Sequence, residues 1–200
     1  MADFNLYFRL GTHHILTWEA LDHILFVTAL CLRYQLKEWK KVVLLVTAFT
    51  IGHSLTLALG ALGYVHFARN WIEFLIPLTI FATALNNLYQ SPAKPVNSSG
   101  LPLIYFFALF FGLIHGLAFA NTFISLEGRE DLVAHLFAFN VGIEAAQLLI
   151  VAIVLGISYI ILNILKLSSK GWLNIMSILI ILASIKMAVE RWPYNNQLHT

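Results

Sequence analysis

The side chains of this chain that can do chemistry sit inside its most hydrophobic stretches. Asp22 and His23 stand side by side in "LDHILF", His53 lies in "FTIGHSLTLALG", Glu73 in "IEFLIP", His115 in "FFGLIHGLAFAN" and Glu144 in "FNVGIEAAQL". Three imidazoles with carboxylates are the donor set that a divalent ion such as Ni, Zn, Fe or Co takes, because neutral nitrogen ligates and the acids balance charge. Cys31 is the only cysteine, so disulfides and thiolate clusters are excluded. Neighbours on a helix point about 100° apart, so Asp22 and His23 do not ligate one ion as equals. Asp22 is expected to accept a hydrogen bond from a cluster histidine, fixing the tautomer that leaves the other nitrogen free.

The elements that must position these groups are membrane helices. In 200 residues, 60% are hydrophobic and only 11% charged, which is not the composition of a soluble domain. Apolar runs near 18–35, 42–63, 71–89, 102–125, 133–165 and 172–190 have the length that crosses a bilayer core. The reading is an all-α, polytopic membrane bundle of about six spans in a single domain. Trp18, Tyr34, Trp39, Tyr64, Trp71, Tyr89, Trp172 and Trp192 fall near the ends, as interfacial aromatics do. Residues 1–17 lack a basic n-region and a cleavage site, and read as an amphipathic interfacial helix with Asn5, Arg9, Thr12 and His13 on its polar arc. His14 falls on the apolar arc. Thr17 is a plausible N-cap restarting the chain as the first span.

Orientation follows from the loops. Arg33, Lys37, Lys40, Lys41, Lys94, Lys166 and Lys170 occupy loops one, three and five, against Arg9, Arg69, Arg129 and Arg191 opposite, which places both termini outside. His53, His115 and Glu144 then lie roughly 15 Å deep in the outer half. Asn140, Glu144 and Gln147 form one stripe on the fifth span. Asn140, Gln147, Thr56 and Glu73 are expected to line the cavity. Each group also has a structural explanation: Asp22 and His23 can be solvated at the headgroups, and His53 can bond a neighbouring helix beside Thr50, Thr56 and Gly60. Gly112 and Gly116, flanking His115, suit close helix packing. The clustering of ligand types at one depth favours a metal site over these separate explanations. The inner half offers mainly Asn86, Asn87 and Lys186.

The set "DHILF", "FTIGHSLTL", "IEFLIP", "FFGLIHGLAFAN" and "FNVGIEAAQL", in this order and spacing, resembles the HupE/UreJ family of bacterial membrane proteins over nearly the whole chain. The resemblance implies six or so helices in the bacterial inner membrane and the handling of nickel or a related divalent metal. It also makes His14 a candidate for the family's upstream histidine, although "HHILTWEALDH" lacks the glycine and has a longer gap than the usual pattern. Two functional classes fit: a permease or metal-handling protein, or an intramembrane metal-dependent hydrolase or oxidoreductase acting on a lipid or lipoprotein. A metal-stabilised scaffold is a third. The scarcity of polar groups in the inner half speaks for the enzyme, the resemblance for metal handling. The expected partners are the lipid bilayer and a divalent ion; no nucleic acid is expected, and a homo-oligomer is left open. No nucleotide-binding loop supplies an ATP drive.

Overall fold

The computed structural model describes residues 2–65, 67–89, 103–126 and 131–193, and every regular element among them is helical. The order is α1 (Ala2–Leu16), α2 (Leu21–Cys31), α3 (Trp39–Ala61), α4 (Arg69–Tyr89), α5 (Leu103–Leu126), α6 (Leu132–Tyr159) and α7 (Ser169–Glu190). A π-helical end, Ile160–Ile164, prolongs α6. Lys94, Arg129 and the linker "QSPAKPVNSSG" lie outside the described residues. The helices α3, α4, α6 with its extension, and α7 are each long and apolar enough to cross a membrane, and α5 has 24 residues. The chain is a polytopic helical membrane protein. Its lipid-facing stripes are exposed aliphatics such as Leu44, Ile51 and Leu55 on α3 and Ile178, Leu182 and Ile185 on α7.

The first span departs from the simple reading. With 11 residues, α2 rises only about 16 Å and cannot cross alone. It reaches spanning length only together with α1, from which it is bent by 73°. The break lies at a single 3₁₀ turn, Trp18–Ala20, entered through an extended Thr17 whose hydroxyl makes no capping bond. The Thr17 carbonyl accepts from the Ala20 amide at 3.1 Å. Nor does α1 stand apart as a surface helix. It docks along α6, where Tyr7 stacks on His135 with ring centroids 4.1 Å apart. A Cβ at Gly142 would collide with the Phe8 carbonyl, so only glycine admits this approach.

The same device joins α3 to α5. Phe49 and His53 meet Gly112 and Gly116, and Gly60 meets Ala120 further along, so the two helices run parallel. A Cβ at Gly112 would strike the Phe49 carbonyl. Gly112→Ala is therefore expected to cost about 1–3 kcal/mol, the usual overpacking penalty. A lowered thermal midpoint in detergent checks it; an unchanged midpoint would mean that the two backbones are not in contact. Elsewhere, Asn87 clamps α4 to α2 by donating to the Ala29 carbonyl at 2.8 Å, and Phe74 meets Trp192 edge-on at 5.0 Å, bringing the start of α4 to the end of α7.

Candidate metal centre

Four histidines from four helices converge beside the α1–α2 bend. His14 ends α1, His23 opens α2, and His53 and His115 sit in the middle of the parallel pair α3 and α5. The bend makes this meeting possible: a straight helix would carry residues nine apart about 13 Å along its axis, yet the His14 and His23 rings are 5.2 Å apart. His53 lies 6.4 Å from His14 and 6.0 Å from His23, and His115 lies 5.1 Å from His23. One ligand nitrogen from each of His14, His23 and His53 falls within 4.8 Å of the others. Around a tetrahedral ion at the usual Zn–N length such atoms stand about 3.3 Å apart, so small ring rotations close the gap.

The surroundings are aromatic and buried. Phe119 packs 4.2 Å from His14, Phe49 packs 5.0 Å from His115, and Phe119 and Phe139 stack in parallel at 5.2 Å. His23, His53 and His115 are 5%, 0% and 1% exposed. In this space His14 Nε2, His23 Nε2 and both ring nitrogens of His53 and His115 have no hydrogen-bond partner. Buried polar atoms are almost always satisfied, because leaving one bare costs about 1–3 kcal/mol. Each neutral imidazole offers one lone pair, so four of these six bare nitrogens, one per ring, can turn to a cation.

Asp22 is engaged on both oxygens. Its Oδ1 accepts from His23 Nδ1 at 2.9 Å and from the His23 amide at 2.8 Å, while Oδ2 accepts from Arg191 Nη1 at 3.0 Å. A proton held on Nδ1 leaves Nε2 of His23 as the free lone pair. The aspartate therefore has the geometry of an orienting partner, with its charge offset by Arg191.

Of the remaining candidates, Asn140 adjoins the cluster and the others have partners of their own. Glu144, like His115, falls outside the His14, His23 and His53 trio of mutually close ligand atoms; its Oε1 accepts from Thr47 at 2.6 Å. Gln147 Oε1 accepts from Thr50 at 2.8 Å. Asn140 lies against His53 and donates to the Leu136 carbonyl at 2.8 Å. Thr56, expected to line the cavity, instead donates to the Leu113 carbonyl at 2.8 Å, stitching α3 to α5. Glu73, expected there too, pairs with Arg69 at 2.6 Å across one helical turn near the start of α4. Sequence reasoning weighed Arg191 only as a topological charge. The signal that would have found it is the need of a buried aspartate for a counter-charge at the same end of the bundle.

Fold and site define a class: a multi-pass helical membrane protein with a buried imidazole cluster behind an ion-paired aspartate. A family model described as HupE / UreJ protein matches residues 1–194, and the chain belongs to that family. Neither the curated proteins nor the solved structures give a match.

Proposed function

We propose that this protein binds a divalent metal ion at His14, His23, His53 and His115 and acts as a metal-handling membrane protein or permease, with the ion as cargo. The observation that carries this is the set of bare imidazole nitrogens gathered from four helices. Membership of the HupE/UreJ family suggests nickel, and the all-nitrogen donor set suits Ni, Zn or Co. Asp22 orients His23, and Arg191 holds Asp22 in place. The excess of lysine and arginine in loops one, three and five supports a periplasmic-side cluster in a bacterial inner membrane, with both termini periplasmic.

The competing reading, a metal-dependent intramembrane enzyme, needs a free carboxylate beside the ion to take a proton from metal-bound water. Both oxygens of Asp22 are occupied and Glu144 is held at the level of Thr47, six residues before His53 on α3, which favours binding over hydrolysis. The test is thermal unfolding of the purified protein with Ni²⁺ or Zn²⁺. At a hundred times the dissociation constant, a bound ion adds about 2.7 kcal/mol of stability, and chelation with EDTA removes it. A midpoint indifferent to both ions would sink the proposal.

A further inference from the structure

One to two turns along α3 and α6 from the histidines lies a second set of unsatisfied groups. Glu144 Oε2, Asn140 Oδ1 and Gln147 Nε2 are buried without a hydrogen-bond partner, and Gln147 is wholly inaccessible. The other polar atoms here are committed: Thr47 donates to Glu144 and Thr50 to Gln147, both from α3 across to α6. Thr47 precedes His53 by six residues and Glu144 follows Asn140 by four, roughly 9 Å and 6 Å along the respective helices. Asn140, beside His53, links the two levels. Past Gln147 the same face closes with Val46, Ile150 and Val151, all buried in one apolar cluster.

We propose that Glu144 and Gln147, joined to the histidine level by Asn140, form a second station for a divalent cation that keeps part of its hydration shell. This rests on the histidine site proposed above. Carboxylate and amide oxygens replace imidazole, and oxygen donors hold such an ion more loosely than a nitrogen cluster. The Thr47 hydroxyl fixes one carboxylate oxygen and turns the other toward the ion. Gln147 Nε2, a donor with nothing to donate to, suits the oxygen of a water carried with the cation. A loosely held intermediate position before an apolar closure is what a permease needs, since an ion held only at the tight site would not leave it.

The experiment uses the full chain, with Ni²⁺ as probe, in two formats: calorimetric binding in detergent, and uptake into liposomes holding a Ni²⁺-quenched fluorophore. Glu144→Gln is expected to bind Ni²⁺ like the parent, while its uptake falls about tenfold or more, as losing a charged contact implies. Thr47→Val, which keeps the carboxylate, should lower uptake in the same direction and guards against a folding defect in the first variant. If Glu144→Gln loses binding along with uptake, Glu144 belongs to the histidine site and the second station is wrong. It is equally wrong if uptake in both variants matches the parent, or if the parent binds Ni²⁺ and carries none. Failure of the parent to bind Ni²⁺ would instead strike the histidine site itself.

Discussion

Replacing His53 with alanine is expected to weaken divalent-ion binding by more than about 100-fold, beyond what loss of an outer-shell group typically costs. His53 is fully buried, and Asn140 is its polar neighbour from α6. Asn140 keeps a bond of its own to the Leu136 carbonyl, so the unloaded protein should keep its helical content and elution volume. A conventional buried histidine behaves in the opposite way: its loss destabilises the fold by orphaning its partner. Calorimetry with Ni²⁺ and Zn²⁺ alongside gel filtration separates the two cases. Near-parental affinity would remove His53 from the site.

Asp22→Asn should cost less, about 10–100-fold in affinity, because it disturbs a ligand without deleting one. The amide can still bond, yet it no longer holds the Nδ1 proton of His23 as a carboxylate does, nor balances Arg191 at 3.0 Å. Arg191 is left partly buried without its counter-ion, so a loss of stability accompanies the loss of affinity. Comparing the titrations of Asp22→Asn and His115→Ala ranks the roles. Should the aspartate variant prove the more damaging, Asp22 ligates the ion directly.

The spans were legible because hydrocarbon leaves so little freedom: the apolar run 42–63 predicts α3, Trp39–Ala61, within a few residues. The long fifth run corresponds to α6 with its π-helical extension. The α1–α2 bend was less visible. Periodicity shows that residues 2–16 have an apolar arc, but not whether lipid or another helix covers it, and here α6 does. In the site, His23, His53 and His115 stood out as ionisable groups in apolar surroundings. His14 was ambiguous for the same reason as α1, since its placement depends on the docking of that helix and on the 73° bend. The pairing of Asp22 with Arg191 spans 169 residues, which no local pattern encodes. Thr47 was missed because a threonine in an apolar helix usually bonds its own preceding turn, as Thr50 also does to Val46 at 3.2 Å.

The central claim, that imidazoles from four helices gather one divalent ion, is tested most directly by X-ray absorption at the metal edge of the Ni²⁺- or Zn²⁺-loaded protein. The account predicts a first shell dominated by about three or four nitrogen donors at roughly 2.0–2.1 Å, with the outer-shell scattering of imidazole rings. A shell of oxygens alone, without that ring signature, would contradict it.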